Sequence, residues 1–267
     1  MNFRRVAAMG LRQFYLYAGS PTRLVPLFAW VAIDIVLWGF ITRYLNSIAA
    51  SGFNFVASLL GAVLLWDFLT RVLYGVSTAF LEDVWSRNFL NVFASPITIS
   101  EYVFGLVITS ISTSLLGLVT MLCLASLAFG LSFFAYGAAI VPFLLVLFMC
   151  GIALGIASAG MMLRLGPASE WWVWPMPAML SPFAGVFYPI ATLPSWMQAI
   201  SRFLPPSYVF EGLRAIARGA PWSASGLVIG FVLSVAYIAA AGWFFQHVFH
   251  VAVRTGLLAR YSAESTT

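Results

Sequence analysis

Between Leu81 and Gly105 the chain reads LEDVWSRNFLNVFASPITISEYVFG, a polar interruption with long apolar runs on both sides. Wound as a helix over 82–94, it places Glu82 and Asp83 in the first turn, where acids meet the positive end of the helix dipole. Trp85, Phe89, Val92 and Phe93 recur at spacings of three and four and form one apolar face. Ser86, Arg87, Asn88 and Asn91 occupy much of the remainder, and Pro96 ends the pattern because the residue before a proline resists helix. Three bulky aromatics in so short a stretch exceed what a plain loop needs. The pattern suits a helix lying on lipid, or one that docks onto a partner in the water, its charges setting orientation and specificity.

Three ionisable residues fall inside the apolar runs: Asp34, Asp67 and Arg71. A charge at the centre of a lone membrane helix costs about 2.5–3.5 kcal/mol on insertion scales, so such residues take partners. Asp67 and Arg71 are four apart and share a helix face on which they can pair. Asp34 sits midway between Trp30 and Trp38 with no partner near it in sequence; it reaches Arg71 across helices or faces a polar conduit. Trp30, Asp34, Trp38, Trp66, Asp67, Arg71 and Tyr74 are the candidate lining of a translocation path for sugars or amphiphiles, since aromatic faces join apolar area to polar edges. The same aromatics also serve as interfacial anchors of membrane spans, the reading preferred for Trp171, Trp172 and Trp174.

Other reactive residues carry little chemistry. His247 and His250 are three apart with no acid or cysteine close in sequence, so no metal site is expected. Cys123 and Cys150 lie in apolar runs and read as small hydrophobes. Ser158 lacks the flanking glycine of a nucleophile elbow. All thirteen basic residues are arginine, which removes a Walker lysine and Schiff-base catalysis together. No basic run is interleaved with aromatics, so no nucleic-acid partner is expected.

The elements that must position these residues follow from composition. Of 267 residues 62% are hydrophobic and 8% charged, against about 25% charged in soluble domains. Such a chain cannot cover a water-facing surface and belongs in a bilayer. A hydrocarbon core of about 30 Å needs roughly 20 apolar helical residues. Six candidate spans result: 24–45, 55–80, 101–130, 135–163, 171–190 and 224–249. The fifth is crowded by Pro175, Pro177, Pro182 and Pro189, so it is expected inside the assembly or turning back near the outer face. Gly151, Gly155 and Ala159 form a stripe for close helix packing. Residues 1–20 read as an interfacial amphipathic helix rather than a cleavable signal, with Phe3, Val6, Gly10, Phe14 and Tyr17 turned down and Arg5 and Arg12 toward headgroups. Arginines Arg4, Arg5, Arg12, Arg23, Arg87, Arg164, Arg254 and Arg260 outnumber Arg43, Arg202, Arg214 and Arg218, which puts both termini in the cytoplasm.

Two segments resemble a known family. Glu82, Arg87, Leu90, Ser95-Pro96, Glu101 and Gly105 resemble the cytoplasmic helix of ABC exporter permeases of the type-2 membrane family, which export polysaccharides, lipid-linked glycans and drugs. SPFAGVFYPIATLPSWMQAISRFLPPSYVFEGLRAI, 181–216, is similar to the family's segment between spans five and six. The matching positions are Gly185, Tyr188-Pro189, Leu193-Pro194, Trp196, Pro206, Tyr208, Glu211, Leu213 and Arg214, while Ala184-Gly185 stands where members commonly have Ser-Gly. The resemblance implies that two copies of the chain pair above two copies of a separate ATP-binding cassette ATPase. That partner would bind ATP and Mg, so this chain would carry no cofactor. Glu82, Asp83, Trp85, Ser86, Arg87, Asn88 and Phe89 would then couple the ATPase to the spans.

The fold expected is an all-α integral membrane protein forming a single transmembrane domain, 1–267. It would comprise six transmembrane helices, the N-terminal interfacial helix, a cytoplasmic coupling helix over 82–94, and a re-entrant extracytoplasmic region over 181–218 before the last span. The expected function is the membrane subunit of an ATP-driven exporter of an amphipathic or glycan-type substrate, in a bacterial inner membrane. The alternatives are a proton- or ion-coupled transporter or channel using Asp34, Asp67 and Arg71, and a non-transporting scaffold.

Overall fold

The computed structural model describes residues 2–48, 56–86, 89–131 and 137–256, and all regular structure among them is helical. Helices α1 (Phe3–Ala18) and α2 (Pro21–Ile48) come first, and a π-helical turn at Val56–Leu60 leads into α3 (Gly61–Trp85). The short α4 (Phe89–Ala94) precedes α5 (Ile99–Phe129) and α6 (Ile140–Leu165). A 3₁₀ segment at Pro167–Trp172, α7 (Met176–Ala184), a 3₁₀ turn at Ile190–Thr192, α8 (Ser195–Ser201) and α9 (Pro205–Ala217) lead to α10 (Ala224–Arg254). Among the described residues five stretches are long and apolar enough to cross a membrane: Phe28–Ile48, Ser58–Trp85, Ile99–Phe129, Gly137–Leu165 and Ala224–Arg254.

Helix α3 is the axis of the packing: Leu69, Val72, Leu73, Val76 and Phe80 are fully enclosed. On one side α6 presses Gly151 and Gly155 against it. A Cβ at 151 would stand 2.7 Å from Val72 Cβ, and one at 155 would stand 2.6 Å from Val76 Cβ and 2.9 Å from the Leu73 carbonyl. The stripe of small residues therefore brings two backbones into contact, as its spacing indicates. On another side Ser110 of α5 donates to the Val72 carbonyl at 2.8 Å, an approach that Gly75 leaves room for. Helix α10 covers α6 and reaches α3 edge-on through Phe80 and Phe245, 6.2 Å apart. Helix α2 buries Val31 and Ile35 against Leu60, Leu64, Met121, Ala125 and Leu131. Helix α5 opens on a capping box, Thr98 Oγ1 accepting from Glu101 N and a Glu101 carboxylate oxygen from Thr98 N, and closes on Gly130 at φ +66°.

Three expectations change. The fifth apolar run, 171–190, is not one helix: α7 has nine residues, about 14 Å at the α-helical rise, and stops at Gly185 in the left-handed region. The crowded prolines are the reason. Residues 82–94 are not one helix either. Phe80, Leu81 and Val84 extend the buried stripe of α3, so Glu82 and Asp83 ride on its last turns and a separate α4 begins at Phe89. In α1, Val6, Met9 and Gln13 form the buried face, while Phe3, Phe14 and Tyr15 are exposed. Arg12 pairs with Asp83 of α3, and Arg5 lies 3.6 Å from Glu101 of α5 while staying partly exposed, so both arginines have acid partners within the chain.

Candidate functional site

At the Trp85 end of α3 the coupling candidates are held from two directions. Asp83 is completely buried, pairs with Arg12 of α1, and accepts a 2.9 Å hydrogen bond from the Tyr102 hydroxyl of α5. An acid in the last turn of a helix faces the negative end of the dipole, so the α1 guanidinium offsets both that field and the loss of solvent. After the interruption, Glu101 accepts from the backbone N–H of Asn2 and lies 3.6 Å from Arg5. The segment that carries α4 is thus pinned before and after by one helix, α1. Trp85 and Ser86 are exposed beyond the pins, and the Trp85 indole donates to Glu170 at 3.1 Å. Glu82 is half-buried. Arg87, Asn88 and Arg260 lie outside the described residues, as do the side chains of Tyr17, Arg23, Phe89, Leu90 and Phe93.

Asp67 and Arg71 pair across one turn of α3, Nε to Oδ2 at 2.7 Å, as their spacing indicates. Asp34 of α2 comes within electrostatic reach of both. The aromatic candidates have separate placements. Trp38 stacks on Phe187 at 5.3 Å, Trp66 leans on Phe210 at 6.0 Å, and the Tyr74 hydroxyl donates to the Trp174 carbonyl at 2.8 Å. Trp30 stands outward on α2. Trp171, Trp172 and Trp174 are all exposed. His247 stacks on Trp243, and His250 bonds the Gln246 carbonyl.

The prolines of 181–216 break the helical ladder, and side chains take up the freed carbonyls. Arg214 donates to the Gly185 carbonyl at 2.6 Å and to Glu211 at 2.9 Å, while Glu211 accepts from Ile190 N at 2.8 Å. Tyr188 donates to the Pro182 carbonyl, Ser201 to that of Phe183, and Tyr208 to that of Arg202. Pro189 precedes the 3₁₀ turn and Pro194 precedes α8, whose exposed Trp196 meets Phe183 edge-on at 6.2 Å. Gly185, at φ +63°, would carry a Cβ 2.8 Å from Ile190, so the position requires glycine. Gly185, Tyr188, Glu211 and Arg214 are thus tied into one bonded turn system, and Phe210 of the same segment packs on Trp66 toward the Gly61 end of α3.

Sequence reasoning missed Arg12, Tyr102 and Glu170 as partners of the coupling candidates, and Asn2 and Arg5 as partners of Glu101. The Thr98-x-x-Glu101 capping signature was readable. The other contacts join residues distant in sequence and had no local signal.

No curated protein sequence matches the chain at a significant level. The family model described as ABC-2 type transporter matches residues 4–217, most of the chain and both segments above. The chain, a multi-pass bundle whose polar interruption and proline-rich turn system fall inside that match, belongs to the ABC-2 type transporter family, the membrane permease component of ABC transporters.

Proposed function

We propose that this chain is the membrane subunit of an ATP-driven exporter, working as a homodimer above two ATP-binding cassette ATPases that hold ATP and Mg. The Trp85 end of α3, with α4, faces the cytoplasm of a bacterial cell in this reading, and both termini lie on that side. The observation that carries it is the mounting of α4. Arg12 on Asp83 and Asn2 with Arg5 on Glu101 make the flanks of a six-residue helix rigid while Trp85 and Ser86 stay open to a partner. A load applied there passes directly into α3 and α5. The cargo is amphipathic or glycan-like, a class that suits the aromatic residues near Asp34, Asp67 and Arg71.

Pairing is supported by α2. Trp30, Ile33, Leu37, Phe40 and Tyr44 recur at three and four and are exposed, in the pattern of a helix seam. Asp34 lies beside that stripe and is only half-buried, and a carboxylate at membrane depth needs cover other than hydrocarbon.

Purification of the tagged chain with its ATPase, then ATP hydrolysis by wild type and by Glu82→Ala/Arg87→Ala, tests this. Turnover that requires the permease and falls in the double variant is expected. Transport without nucleotide that follows a proton gradient would replace the proposal with an ion relay through Asp34, Asp67 and Arg71. If neither nucleotide nor gradient moves anything, a scaffold remains.

A further inference from the structure

A groove of about 540 Å³ runs between α1 and α5, walled by Gly10, Leu11 and Phe14 on one side and Ile108 and Leu116 on the other. Its size falls in the usual range of small-ligand sites, about 300–1,000 Å³. The hydroxyls that border it are already satisfied: Thr109, Ser112 and Thr113 donate to the carbonyls of Gly105, Ile108 and Thr109. Gln13 is different. It also lines the groove, is 2% exposed, and neither its amide nitrogen nor its oxygen has a hydrogen-bond partner among the described residues. Leaving such a group unpaired costs about 1–3 kcal/mol, so an occupant with a complementary polar atom is favoured.

The position of the groove decides what that occupant is. Helix α5 has 31 residues, about 46 Å, against a hydrocarbon core of about 30 Å. The excess of about 16 Å is placed at the Thr98–Glu101 end, where α5 carries its one acid, tied to Asn2 and Arg5, so that the Ile108–Leu116 stretch enters hydrocarbon. Arg4, exposed and three residues before the groove residue Ala7, lies on the same side of α1 where a headgroup phosphate would sit. An apolar channel, one buried amide and a cation at its outer end match the parts of one molecule. We propose that this groove binds a phospholipid of the surrounding bilayer, one acyl chain lying between α1 and α5 and the Gln13 amide donating to its ester carbonyl.

The test uses the full-length chain reconstituted without any ATPase, so it stands apart from the exporter proposal. Vesicles of phosphatidylethanolamine and phosphatidylglycerol are doped with a phospholipid bearing a diazirine in one acyl chain, irradiated, and the labelled peptides mapped. Label on 7–18 and 108–116 several-fold above that on the exposed α10 stretch around Val228 and Val232 is expected. Ser112→Phe, which fills the groove, should bring the label down to the α10 level. Gln13→Leu, which keeps the packing but removes the amide, should lower it at least twofold. Groove labelling no higher than α10 in the wild type overturns the proposal, as does full labelling in a folded Ser112→Phe. If that variant does not fold, undiminished labelling in Gln13→Leu does the same. In a separate arm, Ser112→Cys with Cys123→Ser is oxidised mildly in the same vesicles, and a disulfide-linked dimer through residue 112 would assign the groove to a protein contact and also overturn the proposal.

Discussion

Without the Arg12 guanidinium, the buried Asp83 carboxylate would be left leaning on the Tyr102 hydroxyl alone of its two described partners. Breaking one side of a buried ion pair is more damaging than replacing both, because the orphaned charge keeps its desolvation cost. Arg12→Ala should therefore lower stability by about 3–5 kcal/mol. Arg12→Met/Asp83→Asn, which leaves no charge behind, should recover most of that loss. Denaturation in detergent decides the matter: equal losses in the single and double variants would mean that the pair is not a coupled unit. At this scale the sequence was readable where partners are neighbours, as in Asp67 and Arg71 on one helical face. It misled where the partner lies on a distant helix. An arginine on an amphipathic helix satisfies the headgroup reading on pattern alone, and nothing local reveals that Asp83 waits beside it.

Elements were legible in proportion to how far their own periodicity decides them. The long apolar runs became helices close to where length and hydropathy put them, and the Gly151–Gly155 stripe became a backbone contact. The boundary at Glu82 failed because buried packing carries α3 past the polar residues that suggested a new start. The fifth run failed as a single helix because each proline removes a donor, and the chain turns to Arg214, Tyr188 and Ser201 for substitutes. Both devices are testable. Gly155→Ala forces a Cβ to within 2.6 Å of Val76, and should cost about 1–3 kcal/mol through overpacking. Gly242→Ala in α10, where no atom lies within 4 Å of the new Cβ, should be neutral or slightly stabilising. Melting temperatures of the two variants side by side check this, and equal values would remove the close-contact explanation. In the turn system, Arg214→Ala uncovers the Gly185 carbonyl and should cost about 1–3 kcal/mol. Limited proteolysis should then cut first between Gly185 and Leu193; a cleavage pattern unchanged from wild type would show that Arg214 does not hold the turn.

For the whole molecule the open question is what covers α2. A soluble protein with so many exposed large side chains would be read at once as half of something, but in a bilayer lipid covers apolar surface at no cost, so exposure alone selects no partner. Asp34 breaks that symmetry: beside the stripe of Ile33 and Leu37, a half-buried carboxylate is poorly matched to lipid and well matched to a polar space between two copies. Two α2 helices meeting along the stripe would bring equivalent residues near the two-fold axis, where like meets like. Leu37→Cys in a background of Cys123→Ser, with Cys150 buried and left in place, should form a disulfide-linked dimer under mild oxidation in membranes. Val232→Cys on α10, equally exposed but without an acid beside it, should remain monomeric under the same treatment. Equal cross-linking at both positions would reflect random collision in the membrane, and cross-linking at 232 alone would move the dimer face to α10 and leave Asp34 to be covered from within one copy.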